Sequence, residues 1–156
     1  MFEKVKALLV HHHSETLLAL KAALERLGMS ITQAESRAHA KRLLSGLNPA
    51  PLVFTDTQLP DGTWADVLAL ASKAAKPVNA IVVARVVNTR FYVEAIEAGA
   101  FDFLAPPFNS TDLAYVVRTA VDNAVARRSA RSTPLPSPPE GLLAEVSEAD
   151  ASISSV

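Results

Sequence analysis

Apolar and polar positions alternate along the chain in short blocks with two different periods. Val5–Val10 is a short, mostly apolar run and predicts a buried strand. His11, His12 and His13 end it, and Ser14 is placed to cap a helix. Over Glu15–Leu27, Leu17, Leu20, Leu24 and Leu27 recur at helical spacing, with Gly28 as the terminator. Ser30–Ala34 predicts a weaker second strand. Ser36 caps a short helix carrying Ala40, Leu43 and Leu44, and Gly46 stops it. After the turn residues Asn48–Pro51, the run Leu52, Val53, Phe54, Thr55 predicts a third, fully buried strand. That strand ends at an acid, Asp56, and a turn signal, Leu59-Pro60-Asp61-Gly62, follows at once.

The second half repeats the pattern. Trp64–Ala75 predicts a helix with Val67, Leu68, Leu70 and Ala71 as its apolar positions, and Lys76-Pro77 ends it. Ala80–Val83 is a fourth buried strand, Phe91–Ala98 a helix closed by Gly99, and Phe101–Leu104 a fifth strand. Pro106-Pro107 breaks the chain. Asn109 caps a last helix with Asp112 in capping-box position, and Leu113, Val116, Val117, Ala120, Val121 and Ala124 form one face as far as about Arg128. Five alternations of strand and helix predict an α/β fold. It is a doubly wound, five-stranded parallel sheet with helices on both faces and right-handed crossovers. In such sheets, a carboxylate at the carboxyl end of a strand lies where ligand chemistry is placed. Asp56 is that carboxylate, although an acid there also serves simply to start a turn.

Composition narrows the classes. The chain has 156 residues and predicts one domain over 1–131, followed by a Pro/Ser-rich and then acidic flexible tail over 132–156. The tail holds Glu140, Glu145, Glu148 and Asp150 with no Lys or Arg, so residues 1–131 carry +3 against −1 for the whole chain. That charge gives no electrostatic case for nucleic acid. There is no cysteine, hence no disulfide framework or thiol chemistry. No apolar run is long enough for a bilayer, and Met1–Lys6 lacks a signal-peptide apolar region, which predicts a cytoplasmic protein with no membrane partner. No nucleophile–base pair, Gly-rich phosphate loop or further acid cluster is present, and the expectation is that the chain is not an enzyme in its own right.

Two motifs on this βα repeat resemble the receiver domain of two-component response regulators, over about residues 4–128. One is the strand ending at Asp56 with Leu59-Pro60-Asp61-Gly62 after it. The other is Glu94–Phe108, in which Gly99-Ala100, Phe103 and Pro106-Pro107-Phe108 stand where the family shows Gly-Ala, an aromatic and Lys-Pro-Phe. The resemblance implies the flavodoxin-like (βα)5 receiver fold and a role in phosphorelay signal transduction. A sensor histidine kinase would phosphorylate Asp56. Mg²⁺ would be held by an acid pair at the end of the first strand, by Asp56, and by the backbone carbonyl of Gln58. A Lys and a Thr or Ser would contact the phosphoryl group, and the aromatic at Phe103 would switch rotamer. Partners, including a second copy, would bind through the face of the fourth and fifth helices. The family's equivalent of the Pro106–Pro107 bond is often cis, and both isomers stay open here.

Departures from this pattern are concentrated at the chemistry. The acid pair is His11 and His12, the Lys position is Pro106, and the Thr/Ser position is Ala84. Imidazole is a poor exchange for carboxylate toward Mg²⁺. The expectation is an atypical receiver that holds no cofactor, is phosphorylated weakly or not at all, and signals by protein contacts. Three readings of the histidines are open: solvated imidazoles at a strand end, a protonated imidazole paired with Asp56, or a transition-metal site of His11, His13 and Asp56. In the last two, Asp56 remains a working phosphoacceptor with the histidine or its metal in place of Mg²⁺. Trp64 is expected to be partly buried, His39 solvated, Asp61 a turn acid, and Phe91 and Tyr92 near the surface. Tyr115 is expected to pack at the edge of the core.

Overall fold

A computed structural model of the protein describes residues 2–132; the acidic tail expected over 132–156 lies, beyond Ser132, outside the described residues. In chain order the elements are β1 (Lys6–Val10), α1 (Glu15–Arg26), β2 (Ser30–Ala34), α2 (Arg37–Leu44), β3 (Leu52–Asp56), β4 (Gln58–Leu59), β5 (Gly62–Thr63), α3 (Trp64–Ser72), β6 (Asn79–Val83), α4 (Thr89–Glu97), β7 (Asp102–Leu104) and α5 (Ser110–Ser132). Five strands pair in parallel in the order β2-β1-β3-β6-β7, and β4 and β5 form a separate two-residue antiparallel pair. The five-stranded parallel sheet is therefore as the hydrophobic pattern predicts. The antiparallel pair is an addition: the Pro60-Asp61 turn is tight enough to bring Gln58 opposite Thr63 and Leu59 opposite Gly62.

Both faces of the sheet are covered, which is why its strands read as continuous apolar runs. Alternate residues go to opposite sides. Leu8, Val10, Val53 and Val82 pack with Ala40, Leu44, Val67, Leu68 and Ala95 of α2, α3 and α4. Leu9, Phe54, Ile81 and Val83 pack with Leu17, Leu20 and Leu24 of α1 and Leu113, Val117 and Ala120 of α5. Tyr115, expected at the core edge, is instead 70% exposed, because Leu113 and Val117 on either side of it take the inward face of α5. The last helix also runs four residues past Arg128, to Ser132.

Two polar devices hold the ends of the sheet. At the start of β6, buried Asn79 donates from Nδ2 to the Ala120 carbonyl at 2.8 Å and to Asn123 Oδ1 at 3.1 Å, and its Oδ1 accepts from Arg127 at 3.0 Å. Arg128 donates to the carbonyls of Pro77 (2.8 Å) and Pro49 (2.8 Å). At the opposite end, the tip of the β4–β5 pair is tied to α2. Asp61 accepts from the N–H groups of Arg37 (2.7 Å) and Ala38 (3.0 Å), while Ser36 Oγ accepts from His39 N–H (3.1 Å). Three of the free N–H groups of the first turn of α2 are thereby satisfied. Asp61 is thus a helix cap supplied from outside the helix, more than the turn acid expected. Gly62 beside it has no room for a side chain, since a Cβ would lie 2.5 Å from the Asp66 carboxylate, which itself accepts from Thr63 N–H.

Asn79→Ala removes the bonds to the Ala120 carbonyl, Asn123 and the Arg127 guanidinium, and the expected loss is about 2 kcal/mol in urea unfolding; a loss under about 0.5 kcal/mol would show that these bonds contribute little to holding α5. The N–H groups of Arg37 and then Ala38 hold the Asp61 carboxyl below its ordinary 3.8. A group with a lowered folded-state pKa stabilises the fold above its ordinary value and ceases to as the pH falls through the lowered one. Wild type is therefore expected to melt above Asp61→Asn by a constant margin from about pH 7 to pH 5, and the margin to shrink below about pH 4. A margin that does not change with pH would mean that the carboxylate charge contributes nothing to the cap.

Candidate functional site

The strand order reverses beside β1: one crossover leads from it to β2, the other from β2 back across to β3. The carboxyl ends of β1 and β3 therefore frame the crevice where an open α/β sheet binds its ligand. Asp56, the last residue of β3, is partly buried there, and its Oδ1 accepts from Thr57 N–H at 2.8 Å. Thr55 below it is fully buried and donates from Oγ1 to the Asp56 carbonyl at 2.9 Å. The Thr57 carbonyl accepts from Trp64 N–H at 3.2 Å, so the turn after the acid closes directly onto the start of α3. A cavity of ≈ 480 Å³ opens over Asp56. Its walls are His12, His13, Ser14 and Thr16 from the β1 exit, Thr57 and Gln58 after β3, Ala84, Arg85 and Val86 after β6, and Phe91 of α4.

The three histidines have three different situations. His11 extends the β1–β2 ladder by one bond, from its N–H to the Ala34 carbonyl at 3.0 Å. Its ring is 5% exposed, which corrects the expectation of a solvated strand end. Nδ1 accepts from Ser14 N–H at 3.1 Å, which fixes the tautomer of the neutral ring. Nε2 then carries the hydrogen and donates to Gln33 Oε1 at 2.8 Å. His12 and His13 are exposed, with ring centroids 4.2 Å apart. His13 has φ of 54°, a left-handed backbone uncommon outside glycine, and this turns the chain from β1 into the cap at Ser14, whose Oγ accepts from Leu17 N–H at 3.2 Å. The expected grouping of His11, His13 and Asp56 around a transition metal is not assembled. The strand stops at Val10, His11 turns toward β2, and His13 reaches the Asp56 cavity while His11 does not. Among the described residues no three His, Asp or Glu side chains are placed to hold a metal ion. Nor does any histidine form an ion pair with Asp56 among those residues; His12 and His13 share the cavity with it and are not hydrogen-bonded to it.

The remaining expected positions divide. Gln58 lines the cavity and Ala84 lies at its wall, buried, with its N–H on the Leu104 carbonyl at 2.9 Å. Pro106 is exposed and outside the cavity, and the Pro106–Pro107 bond is cis. Phe103 is buried behind the site, 5.2 Å from Phe91 and 6.1 Å from Tyr92 between ring centroids, and Phe91 in turn lies 5.4 Å from Trp64. These rings form one continuous aromatic layer from the start of α3 to β7. Arg85 was not singled out by its sequence. The available signal was its place, directly after the fourth buried strand, where an open sheet presents residues to the crevice.

This donor set does not fit Mg²⁺. A hard cation that prefers anionic oxygen ligands finds a single carboxylate in the cavity, beside two imidazoles, a guanidinium and only the neutral oxygens of Ser14, Thr16, Thr57 and Gln58. His11, in one of the acid-pair positions, has both ring nitrogens engaged elsewhere.

Comparison with known proteins places this geometry. Residues 7–118 match the family model described as the response regulator receiver domain. The chain is 36% identical over 110 residues to Protein PetR of Rhodobacter capsulatus, covering 70% of this chain and 43% of that one. It is 28% identical over 116 residues to response regulator protein PilR of Pseudomonas aeruginosa, covering 74% of this chain and 26% of that one. The chain thus spans less than half the length of these curated relatives. The crystal structure of the signal receiver domain of an HD domain-containing protein from Pseudomonas fluorescens Pf-5 has the same fold, with a TM-score of 0.70 at 20% identity, covering 83% of this chain and 96% of that one. With the family model covering the sheet, both sides of the crevice and the start of α5, the chain belongs to the response regulator receiver domain family.

Proposed function

We propose that the chain is an atypical receiver, one that passes its signal by protein contacts with weak or absent Mg²⁺-dependent phosphorylation of Asp56. The observation that carries this reading is the composition of the crevice: one carboxylate remains, and the groups beside it are imidazoles and a guanidinium. Phosphoryl transfer to a carboxylate brings negative charge onto negative charge and depends on cations held in place around the transferring group. Here Asp56 can still accept hydrogen bonds and hold its turn, and Gln58 lines the cavity, but no second carboxylate does so to complete the site for a divalent ion. The chain then has no catalytic part of its own, and a sensor histidine kinase would act on it as a docking partner.

The output surface in this reading is the face of α4 and α5, available to a partner protein or to a second copy. Tyr92 and Val93 of α4 and Tyr115 of α5 are exposed, and Val86 (72%) and Val87 (65%) of the preceding loop extend the apolar area toward the crevice. Grouped aromatic and aliphatic side chains on a surface mark protein contacts more often than single exposed ones do. The layer Trp64–Phe91–Phe103–Tyr92 joins that face to the wall of the Asp56 cavity, so occupancy of the cavity and the packing of α4 are mechanically linked through Phe91.

Incubation with a small acyl-phosphate donor and Mg²⁺, followed by intact mass, tests this reading with Asp56→Asn as control. The expected result is no Asp56-dependent phosphoryl adduct. An adduct that forms rapidly and to completion with Mg²⁺ and is lost in Asp56→Asn would overturn it. An adduct that forms only with Zn²⁺ or Ni²⁺ would replace it by a phosphoacceptor assisted by a histidine-bound metal.

A further inference from the structure

The cavity over Asp56 is of a size that holds a small ligand. Its charge pattern points to a ligand opposite in sign to a metal ion. Arg85 at its edge is exposed, and no carboxylate pairs with it among the described residues. A guanidinium is always charged and presents a planar fork of N–H donors that matches phosphate and sulfate oxygens two at a time. His12 and His13 stand across the cavity, side by side, and neither makes a hydrogen bond to another described residue. Each imidazole has at least one N–H to donate whatever its tautomer. The hydroxyls of Ser14 and Thr16 line the same wall, where α1 begins and its dipole favours negative charge.

Asp56 works against an anion here, and its position limits where one can sit. Its Oδ1 faces Thr57 N–H at the floor of the cavity, at the end of β3. Arg85 and the two exposed histidines belong to the rim. A tetrahedral oxyanion held between them gains donors from both sides while staying away from the carboxylate. We propose that this cavity binds a phosphate-class oxyanion non-covalently and without a metal ion. Arg85 is its principal charged contact, and His12 and His13 are its further donors. The proposal rests on the reading that the crevice holds no Mg²⁺. It involves no bond making or breaking, so Asp56 is a neighbour of the bound anion and not its acceptor. Free inorganic phosphate and the phosphate group of a monoester present the same oxygens to this rim.

Titration of the whole chain with sodium phosphate in the presence of a chelator tests it. Ionic strength is held constant with sodium chloride, and the readout is backbone amide NMR. The expected result is saturable shifts at Thr57 and over Ala84–Val86, weakened about tenfold or more in Arg85→Ala, partly retained in Arg85→Lys, and weakened in His12→Asp. Asp56→Asn is expected to bind several-fold more tightly, the opposite of what an acceptor role or a metal ligand would give. A parallel titration with glycerol phosphate separates the sources: tighter binding of the monoester assigns the site to an esterified phosphate, and equal or weaker binding to the free ion. Shifts that never saturate, that are unchanged in Arg85→Ala, or that require added Mg²⁺ would overturn the proposal. The mass measurement on Asp56 is independent of it. A phosphoryl adduct on Asp56 with Mg²⁺ would remove the reading of the crevice as metal-free. Absence of phosphate binding alone would leave that reading standing and remove only this proposal.

Discussion

A parallel sheet buried on both faces has to satisfy the backbone N–H and carbonyl groups that its helices shield from water where its strands end. That requirement shapes the carboxyl edge of this molecule. His11 N–H is taken by Ala34, Ala84 N–H by Leu104 and Thr57 N–H by the Asp56 side chain. The chain must then turn within two or three residues to start the next helix, and each turn places a polar side chain at the crevice. No buried side-chain nitrogen or oxygen among the described residues lacks a hydrogen-bond partner. The site is therefore a by-product of strand termination. Its residues can change as long as the backbone accounting there still closes.

His11 shows how such a change is absorbed. At a position where the resemblance leads one to expect a carboxylate, it is a structural group, with one ring nitrogen capping the turn through Ser14 N–H and the other bonded to Gln33 on β2. A carboxylate cannot do this in the same way, since it has no hydrogen to give Gln33 Oε1. The histidine is thus a bridge between β1 and β2. His12 and His13 were left outside that bridge, and the left-handed backbone of His13 holds them at the rim. The way the β1 turn is built thus decides which imidazoles line the crevice.

Much of this was legible in the sequence, and what was not has physical causes. The strands were legible because burial on both faces makes them continuous apolar runs, as in Leu52–Thr55 and Ala80–Val83. The helix starts at Ser14 and Ser36 were legible because a capping side chain is local. Asp56, Gln58, Ala84 and Phe103 were placed from motif spacing, and the structure puts them around or directly behind one crevice. Three things were not legible. Burial of His11 depends on Gln33, 22 residues away. The capping role of Asp61 depends on Arg37 and Ala38 in an earlier helix. Exposure of Tyr115 depends on which of several adjacent apolar residues in α5 faces the sheet. In each case the deciding partner is distant in sequence or chosen by packing.

The two ends of the sheet are built to different standards. At the amino end, Asn79, Arg127 and Arg128 form a dense set of bonds between β6, α5 and the loops at Pro49 and Pro77. A group removed there leaves buried donors or acceptors unpaired, at a cost of about 1–3 kcal/mol for each. At the carboxyl end, the cavity residues are mostly exposed, and Arg85, His12, His13 and Gln58 have side chains that hold nothing else in place. A substitution at that edge costs little stability, since surface changes away from caps and buried networks usually stay within about 0.5 kcal/mol. Selection on the crevice can therefore act on function almost independently of folding. Asp56 itself is the exception at that edge, because its carboxylate also anchors Thr57 and with it the turn into α3. Asp56 therefore has a structural role at that edge whatever its chemistry.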